Sequence, residues 1–311
     1  MPEAAKHALV LTAAPGAGHL TETVIDGVRQ ALGGVGVAAE RWLGPGEAWE
    51  ALLQLAPETS LPALREAIAA RLGPLPVDVN LVPADPGRRC ARLLVSDMDS
   101  TIIQQECIDE MAAMLGLKPR IAAITERAMR GELDFEAALR ERLALLAGLS
   151  EAQLEQVFDE RVTLMPGART LLATMRGHGA FTALVSGGFS FFTARVAAAA
   201  GFEANHANQL DMEAGRLTGR VVGPILGRDA KRQLLIDYRT RLGLLPAETL
   251  AAGDGANDLA MLAIAGLGVA YRAKPVVAAE AHAAIVHGDL TALLYLQGYT
   301  KAEFIAPAPG R

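Results

Sequence analysis

Three short apolar runs each break off into a polar cluster: Ala91-Arg92-Leu93-Leu94-Val95-Ser96, Phe181-Thr182-Ala183-Leu184-Val185 and Thr249-Leu250-Ala251-Ala252. Such runs predict strands that open on the carboxyl edge of a parallel sheet, where open α/β folds build their ligand crevices. Residues 267–271 and 284–286 predict two later strands, each supplied by a helical stretch. Residues 209–211 and 216–222 flank Glu213-Ala214-Gly215, a pattern that predicts a β-hairpin beside the sheet. Asp97 and Ser186 lie about 90 positions apart, far more than one crossover helix needs, so the spacing predicts an insertion between the first two strands. Its sequence reads as helices. Apolar residues repeat at helical spacing from Ile108 to Leu115 and stop at Gly116, while Asp134 and Ser150 stand where caps of two further helices belong. The result is a helical cap at about residues 107–165.

The first 84 residues carry a different pattern. A strand over 9–12 precedes a stripe of Leu20, Val24, Val28 and Leu32 at helical spacing. Residues 37–43 and 48–55 flank Gly44-Pro45-Gly46-Glu47, a hairpin signal that sets Trp42 opposite Trp49. Ser60 caps a helix through Leu72, closed by Gly73 and Pro74, and residues 77–82 supply a last strand. The order is βαββαβ, a small α+β unit. Pro83-Ala84-Asp85-Pro86-Gly87 reads as a linker, because two prolines and a glycine disfavour a continuous element. The expected domains are residues 1–84 and 85–311.

Composition narrows the function classes. The 311 residues suit about two domains, and 51% hydrophobic content is ample for two cores. A net charge of −6 without a basic block argues against a nucleic-acid partner. The two cysteines, Cys90 and Cys107, suit a reducing compartment, with Cys107 read as a packing residue. The six histidines show no zinc-ligand spacing. No secretory signal or spanning segment is evident, so the cytoplasm is the expected location, with no membrane partner. Residues 306–311 read as a loose tail.

Candidate chemistry sits at the three run ends. Asp97 and Asp99 repel each other unless a cation or a shared proton lies between them; the bland alternative is an Asx-turn with a helix N-cap at Ser100. Ser186-Gly187-Gly188 offers a hydroxyl and closely approachable N–H groups, as a phosphate cradle does. Lys231 begins a helical pattern, where its ammonium could neutralise a phosphoryl oxygen or simply be solvated. Gly253-Asp254-Gly255-Ala256-Asn257-Asp258 packs two carboxylates and an amide into one turn. A phosphate dianion cannot approach an aspartate without charge cancellation, and hard oxygen ligands select magnesium.

In this order the segments, over about residues 91–290, resemble the haloacid dehalogenase superfamily of phosphotransferases. The resemblance implies a Rossmann-like parallel sheet with Asp97 as nucleophile and Asp99 as general acid and base. It implies that Ser186 and the N–H of Gly187 hold phosphoryl oxygens, that Lys231 balances charge and that Asn257 positions the phosphate. Magnesium would be held by the side chains of Asp97 and Asp254 and the backbone carbonyl of Asp99, with Asp258 in support. Residues 99–110 are more closely similar to the opening motif of the phosphoserine phosphatase branch. That likeness implies Glu106 as binder of a serine ammonium, Arg142 as a bidentate partner of its carboxylate, and Met129 and Phe135 as covers over the site.

Taken singly, Glu106 and Arg142 also read as surface charges, and Phe135 and Met129 as cap core; their joint spacing from Asp97 favours the site. The implied reaction is magnesium-dependent hydrolysis of O-phospho-L-serine to L-serine and phosphate, the last step of serine biosynthesis. Alternatives are a phosphotransferase, a broader small-molecule phosphatase, or an amino-acid-responsive regulator with a vestigial phosphatase domain. The N-terminal order resembles an ACT-type amino-acid-binding domain, although Ala13 and Ala14 stand where an acidic or amide residue is common before Pro15-Gly16. Its expected role is regulatory or dimerising, the latter making a homodimer.

Overall fold

The computed structural model describes residues 7–84, 89–130 and 132–308, without the Met129 side chain. Met1 to Lys6, most of the expected linker (Asp85, Pro86 and Gly87) and the last three tail residues lie outside the described residues.

The N-terminal part runs β1 (His7–Ala13), α1 (Glu22–Leu32), β2 (Gly36–Gly44), β3 (Ala48–Gln54), α2 (Leu61–Leu72) and β4 (Val77–Pro83). All pairs are antiparallel, in the order β2-β3-β1-β4, and Trp42 stands opposite Trp49. The Thr21 and Ser60 hydroxyls accept the N–H groups of Val24 and Ala63 and so start α1 and α2. Side chains alternate across a strand, which divides β1. Leu9 and Leu11 join Ile25, Val28, Trp49 and Ile68 in one core. Ala8 and Val10 turn the other way and share a core with Leu293 and Tyr295, near the far end of the chain.

The remainder builds a seven-stranded sheet. Its elements are β5 (Leu93–Ser96), α3 (Cys107–Met114), α4 (Lys118–Met129), α5 (Phe135–Ala144), α6 (Glu151–Arg161), α7 (Ala168–Gly177), β6 (Phe181–Phe189) and α8 (Ser190–Ala200). They continue with β7 (Ala204–Glu213), β8 (Arg216–Val222), α9 (Arg228–Arg241), β9 (Thr249–Gly253), α10 (Leu259–Leu262), β10 (Leu267–Tyr271), α11 (Pro275–Glu280), β11 (Ala283–Ile285) and α12 (Ala292–Leu296). The order β11-β10-β9-β5-β6-β7-β8 is parallel except for β8. Among the described residues no helix is long and apolar enough to cross a membrane.

Two details differ from the sequence expectation. The hairpin does not stand beside the sheet: the start of β7 pairs in parallel with β6, and β8 then forms the sheet's last strand. Strand β6 also runs through Ser186, Gly187 and Gly188 to Phe189, with its register to β7 broken between Val185 and Phe189. A bulge of this kind lets a strand turn its backbone toward a ligand while staying in the sheet.

Helices α3 to α6 form the insertion. Its entry and exit pair with each other: Ile103 bridges Leu164, Gln104 N donates to Thr163 O at 3.0 Å, and Met165 N donates to Ile102 O at 2.8 Å. Asp134 caps α5 by accepting Ala137 N at 2.7 Å, and Ser150 and Gln153 form a capping box on α6. The α5–α6 turn is fastened to β8 by Gly148 N to Leu217 O and Leu217 N to Leu149 O, both 2.8 Å, and by Glu151 N to Gly215 O at 3.1 Å.

At the opposite end, β4 meets β11 through side chains. The Asn80 amide donates to Ala284 O at 3.0 Å and accepts Ala284 N at 2.8 Å. The Asp78 carboxylate accepts the N–H groups of Val286 at 2.9 Å, His287 at 3.2 Å and Gly288 at 3.0 Å. Glu50, almost fully buried, receives Arg89 and, at 2.9 Å, Arg41.

Candidate active site

Sheet register explains why distant motifs meet. Ser96 of β5 lies level with Leu184 of β6 and Ala252 of β9. Asp97, Ser186 and Asp254 follow those positions by one or two residues, so three carboxyl-edge side chains from adjacent parallel strands converge. Asp97 is buried, and its Oδ1 accepts the N–H of Met98 at 2.7 Å. Ser100 has φ 55°, a left-handed conformation that costs a non-glycine residue energy. It caps no helix; its hydroxyl donates to Glu106 Oε1 at 2.7 Å, and α3 starts only at Cys107.

Lys231 is not a solvated helix residue. It is 1% exposed and its Nζ lies 2.7 Å from both Asp97 Oδ2 and Asp258 Oδ1. Burial alone would lower the ammonium pKa, but these two carboxylates override it and hold the group above its ordinary range. Asp258 is fully buried and also accepts Gly255 N at 3.1 Å. Gly253 is required beneath it, because a Cβ there would collide with the Asp258 carboxylate.

A cavity of about 490 Å³ opens over these groups. Asp97, Asp99, Ser186, Gly187, Asp254 and Asn257 line it from the sheet side, and Glu106, Phe135 and Arg142 from the insertion. Arg142 is half-buried, donates from Nε to Ala138 O at 3.2 Å and faces Asp109 and Glu106 without a direct ion pair. Phe135 remains 40% exposed. Its ring lies so near Gly187 that a Cβ at that position would come within 3.1 Å of Cζ. Ser186 Oγ accepts Gly188 N at 2.8 Å. Met129 ends α4, and its side chain lies outside the described residues.

The site carries more negative charge than its own cations balance. Burial, then Glu106 and Asp97, raise the Asp99 carboxyl well above the carboxylate range, and one of its buried oxygens has no hydrogen-bond partner among the described residues. Burial, then Asp97 and Glu106, push Asp254 up to about 7. Oxygens of Asp97, Asp254 and Asp258 all lie within 4.8 Å of one another. These hard, convergent, charge-surplus ligands fit a small divalent cation such as magnesium.

A pH dependence follows. The ordinary aspartate value is 3.8, so between about 4 and 7 the folded chain holds a proton on Asp254 that the unfolded chain has lost. Metal-free stability through this group therefore falls as pH rises across that window. A cation bound there would take the proton's place, so added Mg2+ is expected to raise the melting temperature more at pH 8 than at pH 6. At a hundred times Kd the gain is about 2.7 kcal/mol, readable by differential scanning fluorimetry; an equal rise at both pH values would contradict it.

Several participants had no distinctive local signal. Thr101, fully buried, donates to Asp254 Oδ1 at 3.2 Å. Asn208, buried in β7, donates to Gly187 O at 2.8 Å and accepts Leu226 N at 2.7 Å, fixing the back of the glycine turn. Asp109, Thr125 and Lys274 also line the cavity. A hydroxyl two residues after Asp99 was a clue to Thr101; the others are visible only in three dimensions.

A parallel sheet with an acidic carboxyl edge, a lysine sealed behind it and a helical insertion above define a capped, Rossmann-like α/β domain. Residues 94–263 match the model of the haloacid dehalogenase-like hydrolases, and the chain belongs to that family. It is 47% identical over 240 residues to a phosphoserine phosphatase from Streptomyces coelicolor, covering 77% of this chain and 58% of that protein. A phosphoserine phosphatase from Albidiferax ferrireducens is 46% identical over 210 residues, covering 66% of this chain and 89% of the relative. The crystal structure of a probable phosphoserine phosphatase from Vibrio cholerae aligns with a TM-score of 0.76 at 31% identity, covering 96% of this chain and 88% of that one. The chain thus spans under three fifths of the Streptomyces relative's length.

Proposed function

We propose that this chain hydrolyses O-phospho-L-serine to L-serine and phosphate through an aspartyl-phosphate on Asp97. One observation carries the reading: the cavity that exposes Asp97 and Ser186 is also lined by Glu106 and Arg142. An anionic phosphate, an ammonium and a carboxylate thereby find partners within one cavity, and the named relatives agree.

In the first step an Asp97 carboxylate oxygen bonds to phosphorus while the bond to the serine oxygen breaks. Asp99, kept protonated by burial and by the neighbouring charges of Glu106 and Asp97, gives its proton to that leaving oxygen. In the second step Asp99, now ionised, takes a proton from water as the water oxygen displaces the Asp97 carboxylate from phosphorus. Ser186, the Gly187 N–H and Asn257 orient the phosphoryl oxygens, and Lys231 balances charge on Asp97 and the phosphate. Glu106 binds the ammonium, Arg142 forks onto the carboxylate, and Phe135 with Met129 excludes water. Asp97 and Asp254, with the Asp99 carbonyl and Asp258 in support, would hold magnesium, which supplies positive charge against the phosphoryl group.

The wider reading is a cytoplasmic enzyme of serine biosynthesis. It has a phosphatase domain from residue 85 and an ACT-like N-terminal domain that is regulatory or dimerises the chain. The separate sheets and their βαββαβ and parallel orders support that division. Phosphate release should be measured across phosphoserine, phosphothreonine and sugar phosphates, with magnesium and with chelator. Release from phosphoserine no faster than from the others rejects the assignment.

Arg142→Ala is expected to raise KM for phosphoserine by about 100-fold, a charge-assisted bidentate contact being worth about 1.5–3 kcal/mol. Hydrolysis of p-nitrophenyl phosphate, which lacks a carboxylate, should change little. Equal losses on both would show that Arg142 organises the cap instead of reading the substrate.

A further inference from the structure

Five carboxyl residues line the reaction cavity, Asp97, Asp99, Glu106, Asp109 and Asp254, against two cationic ones, Arg142 and Lys274. Lys231 is sealed at 1% exposure and already divided between two carboxylates. Arg142 belongs to the insertion, beside Glu106 and Asp109. Lys274 stands elsewhere. It follows β10, which pairs with β9, the strand that leads into Asp254 and Asn257. Its side chain is exposed, and no ion pair or hydrogen bond joins it to any of the described residues.

We infer that Lys274 captures the phosphate end of the substrate, drawing it into an acid-lined cavity and contacting it beside the Asp254–Asn257 turn. This role rests on the phosphatase reading above. A dianion approaching carboxylates is repelled before contact, and a cation at the rim on the phosphate side offsets that field. A lysine with no side-chain partner among the described residues gives up none of them when it does so. The four-carbon stem lets the ammonium follow the phosphate inward, whereas a buried or paired cation is fixed. Because Lys274 is exposed, its contribution is screened by salt, unlike that of Lys231.

The test uses the full chain with magnesium and compares the native protein with Lys274→Gln and Lys274→Arg. Titration calorimetry with inorganic phosphate should show binding weakened about tenfold in Lys274→Gln and within about twofold of native in Lys274→Arg. KM for both O-phospho-L-serine and p-nitrophenyl phosphate should rise by a similar factor, with kcat moved far less, and the gap should narrow as ionic strength rises. Binding of L-serine, which has no phosphate, should be unchanged in the same calorimeter. Native phosphate affinity in Lys274→Gln, a loss independent of salt, or an equal loss of L-serine binding would each overturn the role. A native protein that splits p-nitrophenyl phosphate but not phosphoserine refutes the substrate reading instead, and the phosphate titration still decides on Lys274.

Discussion

Asp97→Asn is expected to lower phosphate release by about 10^4-fold or more, the scale on which enzymes lose rate when a covalent nucleophile is removed. The amide is nearly isosteric, so the Met98 N–H keeps an oxygen acceptor and the fold persists. What disappears is the anionic oxygen facing Lys231 at 2.7 Å. The variant should retain phosphoserine binding by calorimetry. Beryllium fluoride is expected to form an adduct on the native aspartate and none on the variant, as read by mass change or fluorine NMR. Residual turnover above about one part in a hundred would mean that another group attacks phosphorus.

Lys231→Met is expected to damage both stability and rate, for one electrostatic reason. Its ammonium is the shared counter-charge of Asp97 and Asp258, both buried. Removing one partner of a buried ion pair costs about 3–5 kcal/mol, because the remaining charge stays desolvated. A fall of about 10 °C in melting temperature follows for a chain of this size. The double variant Lys231→Met/Asp258→Asn should recover part of that stability, since one uncompensated carboxylate is gone. It should not recover turnover, because the charge beside Asp97 is still missing. Recovery of both would place the role of Lys231 in folding alone.

What the sequence made visible was local. A buried run ending in acid or in Ser-Gly-Gly is complete within a dozen residues, so Asp97, Ser186 and Asp254 could be placed at one sheet edge before any fold was known. The caps at Ser60, Asp134 and Ser150 are equally local, a side-chain oxygen meeting the N–H three residues on. The misread features depend on partners far along the chain. Strand β7 joins the sheet because β6 lies beside it, which no periodicity within residues 209–222 reveals. The strand expected over residues 77–82 left Asp78 and Asn80 without a reading, and both are buried because another sheet's edge lies against them. Lys231 was ambiguous for the same reason: depth is not written in helical spacing. Lys274 carried no motif at all.

Strands at the margin of a sheet offer unpaired backbone groups on which other chains can align and aggregate. In the seven-stranded sheet neither margin is left bare. The outward groups of Ala284 on β11 are taken by the Asn80 amide, and those of Leu217 on β8 by the turn between α5 and α6. The same contacts that seat the N-terminal strands and anchor the insertion therefore act as end-stops against intermolecular β-pairing. Loosening either is expected to show first as a loss of solubility, ahead of any change in chemistry.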